Sequence, residues 1–316
     1  MEVRKAYIDC KYAEQKNEFL KELNEGQHQI ELVDNFDLCD LYIAVDKING
    51  ALLNSLGKHV FKVLVRQEPS IVIKETYTKA QTEKFDHIID VGKIENSENS
   101  VINWPQDLSE KFSQIDDRLE KIVVVNSNLL SLAKEENYSL RRKVALEIED
   151  LDLYGRQWNN GFRAKVLTLI KEFRKYGFKI HNVKFLGAKS YFKFFSNYIG
   201  EAEDKKEVLS KYKYSIVIEN SSDYLSEKLF DVMYSGCIPI YIGPNLANFE
   251  IPDYLYIQAK PEISDIKEKI LNAKSKDYSE WLDKLKIWSM DLKTYNNWSK
   301  DLFVSKIFSN IENLYQ

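Results

Sequence analysis

Short apolar runs, many of them β-branched, alternate with longer amphipathic segments along the chain. The runs predict strands at Ala6–Cys10, Gln29–Val33, Leu41–Val45, Phe61–Val65 and His87–Val91. Further strands are expected at Ile122–Asn126, Leu151–Tyr154, Ser215–Glu219 and Ile238–Ile242. Several runs are apolar at consecutive positions, as a strand buried on both faces must be. Between them, helical periodicity predicts helices at Glu18–Asn24, Ser139–Glu149, Phe162–Tyr176, Ser226–Tyr234 and most of Ile263–Asn313. Alternation of this kind builds parallel sheets with helices on both faces, so the expected fold class is α/β.

The pattern lapses from Ile94 to Asp117, a polar stretch that holds Asn96-Ser97-Glu98-Asn99-Ser100 and Trp104-Pro105. It separates two α/β blocks and predicts a first domain at 1–116 and a second at 117–316. Near the end of the chain Trp281, Leu285, Trp288, Leu292 and Tyr295 recur at helical intervals as one continuous stripe. Packing of these C-terminal helices back toward the first domain is the expectation. The rival is peripheral contact with a membrane surface, because Lys284, Lys286 and Lys293 flank the stripe, although Asp283 and Asp291 dilute their charge.

A length of 316 residues suits two domains, and 44% hydrophobic with 13% aromatic residues can fill their cores. A net charge of −4 over 30% charged residues gives no global attraction to nucleic acid. Cys10, Cys39 and Cys237 have no CxxC spacing, which argues against a disulfide framework or structural zinc. Cys237, inside the apolar run Cys237-Ile238-Pro239-Ile240-Tyr241, is expected as a buried thiol. Met1-Glu2-Val3-Arg4 leads into no signal-peptide core, and no run reaches the roughly 20 apolar residues of a membrane span. A reducing, cytoplasmic compartment is therefore expected. His28, His59, His87 and His181 are scattered without metal-ligand spacing. Asp150-Leu151-Asp152 is a DxD that enters a strand instead of following one, and so short a motif reads best as coincidence.

The most informative segment runs from Lys213 to Gly243: strand, polar loop, helix, glycine stop, strand. Ser226 is the expected N-cap, and Leu229, Phe230, Val232 and Met233 the buried face. Gly236 stands where a helix end needs a left-handed residue, and Pro239 keeps the helix from resuming. The loop Glu219–Tyr224 thus follows the carboxyl end of a strand, where open α/β sheets bind their ligands. Lys228 opposes the dipole of the helix it opens, which a diphosphate lying between the two would explain. The plain alternative is a solvated lysine pairing with Asp231 or Glu227.

This segment resembles the signature of the family 10 fucosyltransferases. The matching pieces are Glu219-Asn220-Ser221, Tyr224-Leu225-Ser226-Glu227-Lys228-Leu229 and Ile238-Pro239-Ile240-Tyr241-Ile242-Gly243, in that family's order. Upstream, Val124-Val125-Asn126-Ser127-Asn128 resembles the strand that opens the family's donor domain. Ser139-Leu140-Arg141-Arg142-Lys143 and Asp152-Leu153-Tyr154-Gly155-Arg156 resemble two further pieces of it. In the first block, Arg66-Gln67-Glu68-Pro69-Ser70 resembles the family's glutamate–proline region after a strand. Asn103-Trp104-Pro105 is a reduced form of a longer family motif, and the basic tails of some bacterial members are absent.

The resemblance implies a GT-B fold, two Rossmann-like domains facing a cleft, and inverting transfer of fucose from GDP-fucose to an oligosaccharide such as lipopolysaccharide. It implies guanine contact by Tyr224, ribose contact by Glu227, phosphate contact by Lys228 and loop or nucleotide contact by Asn220. Arg141 or Arg142 would supply a forked cation to the diphosphate, only one of the two because neighbours point different ways. Glu68, held extended by Pro69, would be the base that activates the acceptor; its alternative is a surface glutamate. No metal, no other cofactor and no nucleic-acid partner are expected. A related donor such as GDP-mannose, or a non-catalytic glycan-binding role, are the other readings.

Overall fold

A computed structural model describes residues 3–26, 28–94, 99–108, 117–176 and 189–314. The chain forms two compact units, one of residues 1–108 with 292–316 and one of residues 109–291. Residues 109–116, next to the division expected at 116/117, lie outside the described residues, as does His181.

The first unit carries β1 (Arg4–Cys10), β2 (Ile30–Leu32), β3 (Leu41–Val45), β4 (Phe61–Arg66), β5 (His87–Val91) and β6 (Ser100–Ile102). They form one sheet in the order β2-β1-β3-β4-β5-β6, every pair parallel. The consecutive apolar pattern has the cause given by the sequence: both faces are covered. Leu41, Ile43 and Val45 join one core with Phe19 of the helix Ala13–Glu25. Tyr42, Ala44 and Leu64 join the other with Leu52 and Leu53. The first core is completed by Phe303, Val304, Ile307, Phe308 and Ile311 of the helix Phe303–Asn313.

The second unit carries β7 (Leu119–Val125), β8 (Leu151–Tyr154), β9 (Tyr198–Gly200), β10 (Tyr212–Ile218), β11 (Ile238–Ile242) and β12 (Ile257–Gln258). Their order is β12-β11-β10-β7-β8-β9, again parallel throughout. Strand order reverses direction at β1/β3 in the first sheet and at β7/β10 in the second. At such a switch point the adjacent connections leave on opposite faces, and a crevice opens outside the carboxyl ends.

The stripe expected along the tail is broken. Trp281, Leu285 and Trp288 are buried on the helix Tyr278–Ser289 of the second unit, whereas Leu292 and Tyr295 are exposed. The helix stops at Ser289, and a new one, Leu292–Trp298, starts in a different phase. The apolar face that packs on the first sheet lies further on, in Phe303–Asn313. Among the described residues, no helix is long and apolar enough to cross a membrane.

Candidate functional site

The second switch point lies where β7 ends at Val125, with Asn126 just beyond it, and β10 ends at Ile218, with Glu219 just beyond it. The loop Asn220–Glu227 follows β10 and leads into the helix Lys228–Tyr234. Glu227 directly before that helix is already helical in conformation and makes no side-chain cap bond, whereas the hydroxyl of Ser226, the expected cap, accepts the Lys228 N–H at 3.4 Å. A buried carboxylate holds the same serine. Glu219, fully buried at 0% exposure, accepts from the Ser226 backbone N–H at 3.0 Å and from its hydroxyl at 2.8 Å. At the other end Gly236 takes φ +79°, the left-handed stop the sequence predicted, and the Cys237 N–H closes onto the Val232 carbonyl at 3.0 Å.

Lys228 Nζ donates to Ser226 Oγ at 2.8 Å and stands 3.5 Å from Glu219 Oε2 and 3.9 Å from Glu227 Oε1. Its position at a helix start is therefore relieved by carboxylates of the protein itself, the nearer one wholly desolvated. Burial pushes the Glu227 carboxyl up, but Lys228 and Lys205 together outweigh it and hold it below the ordinary glutamate range. Lys205 in turn bridges Glu227 at 3.6 Å and Asp231 at 3.5 Å. Lys228, Lys205 and Asn126 line the same small cavity, about 20 Å³, beside the end of β7.

The two arginines diverge as neighbours on a helix should. Arg141, 2% exposed, donates through Nη2 to the Ile218 carbonyl and to Asn220 Oδ1, both at 2.8 Å. Arg142, 1% exposed, turns to the loop after β7, donating to the Leu129 carbonyl at 2.7 Å and to Ser190 Oγ at 3.0 Å. Burial lowers both guanidinium pKa values, that of Arg142 to about 10. Arg141 is thus tied to the loop after β10 and Arg142 to the loop after β7. The loop before Arg141 joins them: Asn137 N–H donates to the Asn220 carbonyl at 3.0 Å, and Glu136 bridges Ser221. Arg141 Nε, Ser221 Oγ, Asn126 Oδ1 and Tyr241 Oη are buried without a hydrogen-bond partner. Four such polar atoms around one strand-end crevice are costly to leave unpaired, about 1–3 kcal/mol each.

Tyr224, for which the resemblance implies guanine contact, is 2% exposed. Asn220 and Glu227 remain partly accessible. Asp152, half of the DxD, accepts from Tyr212 Oη at 2.8 Å and pairs with Lys121 at 3.1 Å. Among the described residues, no group of three or more His, Cys, Asp or Glu is placed to hold a metal ion. Cys237 is buried and its thiol is pushed up to about 12 by burial. Gly155 follows β8 at φ +129°, where any Cβ would fall 2.1 Å from the Asn126 carbonyl oxygen, so glycine there keeps the end of β7 in place.

In the first unit Glu68 follows β4 and is half-buried. Its backbone N–H donates to Asp46 Oδ1 at 3.1 Å, and its carbonyl accepts from Tyr77 Oη at 2.9 Å. Sequence reasoning passed over Glu219 as a hub and Asp46 altogether. Glu219 had a signal, a lone carboxylate ending an apolar strand; Asp46 had none beyond its place after β3.

Residues 158–315 match the family described as glycosyltransferase family 10 (fucosyltransferase), C-terminal part. A putative fucosyltransferase-like protein of Arabidopsis thaliana is 31% identical over 72 residues, 21% of this chain and 14% of that protein. The chain thus matches only about a seventh of that relative's length. An alpha-glucosyltransferase solved with UDP and a 13-mer DNA superimposes with a TM-score of 0.56 at 11% identity, covering 98% of this chain and 100% of that one. HepE of Anabaena, solved with UDP and glucose, gives 0.52 at 11% identity over 99% of each chain. An alpha1,3-fucosyltransferase solved with GDP-fucose gives 0.50 at 14% identity, over 100% of this chain and 91% of that one.

Proposed function

Because this chain belongs to glycosyltransferase family 10, the fucosyltransferases, we propose that it moves L-fucose from GDP-fucose to a hydroxyl of a glycan acceptor, with inversion. It is a fucosyltransferase-like glycosyltransferase with two parallel α/β sheets, the GT-B fold of its solved neighbours. The observation that carries the finer reading is the loop Asn220–Glu227: it sits at the β7/β10 switch point, bonded to Arg141 and ending in Lys228.

In this reading the acceptor oxygen bonds to the anomeric carbon as that carbon's bond to the β-phosphate oxygen breaks. The hydroxyl proton passes to Glu68, and the electron pair leaves on GDP. Lys228 meets the charge that grows on the leaving diphosphate, and Arg141 adds a permanent charge beside Asn220. Glu227, kept ionised by its two lysines, is the acceptor for the ribose hydroxyls. Arg142 serves the architecture of the β7 loop. The acceptor is a surface oligosaccharide such as lipopolysaccharide, met on the cytoplasmic side, and the reaction proceeds without a metal.

The test is a transfer assay with GDP-fucose, GDP-mannose and UDP-glucose against a panel of N-acetylglucosamine-containing glycans. Release of GDP with a new α-linked fucose, read by NMR, is expected from the β-linked donor. Turnover confined to GDP-mannose or a UDP-sugar would replace the donor. GDP binding with no turnover on any acceptor would favour a non-catalytic glycan-binding role.

A further inference from the structure

We propose that Asp46 is the positioning residue of Glu68, an inference that rests on reading Glu68 as the acceptor base. Asp46 follows β3 and its side chain is completely buried. One carboxylate oxygen, Oδ1, accepts two successive backbone N–H groups, from Gln67 at 2.8 Å and Glu68 at 3.1 Å. The other, Oδ2, accepts from Gln15 Nε2 at 3.1 Å. Gln15 also donates to Gln67 Oε1 at 2.5 Å and accepts the Tyr12 N–H at 3.2 Å. A single buried carboxylate therefore ties the turn after β4 to the turn after β1, across the first sheet's switch point.

The backbone of Glu68 is gripped on both sides, its N–H by Asp46 and its carbonyl by Tyr77. Asp46 itself is held at φ +52°, a left-handed conformation that non-glycine residues adopt at a cost. Burial pushes its carboxyl up, against the hydrogen bonds from Glu68, Gln67 and Gln15 that favour its charge. A neutral asparagine could accept the two backbone N–H groups with less desolvation. What it lacks is a second acceptor oxygen for Gln15. The carboxylate is therefore the group that holds both turns at once, and it reaches the chemistry only through the place it gives Glu68. Displacement of a reacting group by roughly 1 Å costs on the order of 10²-fold in rate.

The experiment compares Asp46→Asn, Asp46→Ala and Gln15→Ala, each alone and combined with Glu68→Gln, measuring kcat for transfer, GDP affinity and Tm. Expected losses in kcat are about 10-fold for Asp46→Asn and about 10²-fold for Asp46→Ala, with GDP affinity within about twofold. In the Glu68→Gln background the same changes should lower kcat less than about twofold, because nothing is left to position. Should Asp46→Ala fail to fold, Gln15→Ala, expected to lose a few-fold in kcat, carries the comparison. Losses that are as large with Glu68→Gln as without it would overturn the proposal, as would full kcat in the Asp46 variants. Glu68→Gln retaining full activity by itself would instead remove the base, and this inference with it.

Discussion

At the scale of single residues the assignments separate into groups that meet the donor and groups that serve the acceptor. Lys228→Ala removes an ammonium that stands 3.5 Å from Glu219 on a residue lining the cavity beside the end of β7. It should weaken GDP binding and lower kcat/KM together, because a phosphate contact is lost in ground and transition states alike. Binding by calorimetry and turnover on the same preparation check this; normal GDP affinity with a lowered Tm would mark Lys228 as a structural partner of Glu219. Glu68→Gln keeps size and shape but removes the basic carboxylate. Folding and GDP affinity should be unchanged while kcat falls by about 10²–10⁴, the usual contribution of a positioned general base. Most of the activity surviving in that variant would pass the proton to another carboxylate or to the leaving diphosphate. Glu219→Gln probes the hub that sequence reading passed over. It leaves Lys228 without its buried countercharge, so donor affinity should fall although Glu219 itself is wholly enclosed.

At the scale of elements, what could be read from the chain depended on how much each element buries. Leu41–Val45, His87–Val91, Leu151–Tyr154 and Ile238–Ile242 form at their expected limits, since each is a run whose burial its composition announces. The strands that went unseen are β6, β9 and β12, all of two or three residues and all at sheet edges. An edge strand buries little on its outer side and has too few residues for a period to show. Ser226 meets the Lys228 N–H as a cap should, but its hydroxyl also donates to Glu219, seven residues away, a tertiary contact no local rule contains. Asp46 was illegible for the same reason: its partners lie on the neighbouring strand end. The tail stripe misled through phase, and the helix that does complete the first core is Phe303–Asn313. Phe308 there is fully buried and meets Phe19 edge-to-face at 5.6 Å. Phe308→Ala should cost about 3–5 kcal/mol of stability in urea unfolding. A loss below about 1 kcal/mol would detach that helix from the first core.

At the scale of the whole molecule, the assignments divide between the two units in a way that binding can test. Arg141, Asn220, Glu227 and Lys228 all belong to the unit of residues 109–291, and Glu68 and Asp46 to the other. Affinity for the nucleotide should then be a property of one unit, indifferent to Glu68→Gln or Asp46→Asn. A ligand that binds only the folded state adds RT ln(1 + [L]/Kd), about 2.7 kcal/mol at a hundredfold excess over Kd. For a domain of roughly this size each kcal/mol moves Tm by about 2–4 °C, so GDP should raise the transition by about 5–10 °C. UDP, CMP and dTDP at the same concentration should move it by no more than about 1 °C if the site is selective for guanine. That selectivity would be set by the loop Asn220–Glu227, in which Tyr224 is 2% exposed while Asn220 and Glu227 are partly accessible. Equal shifts with every nucleotide would mean that the site reads the diphosphate and ribose alone. The GDP shift should be the same in wild type and in Glu68→Gln, and should shrink in Lys228→Ala. A shift lost in Glu68→Gln would place the glutamate in donor binding and take away its role as the acceptor's base.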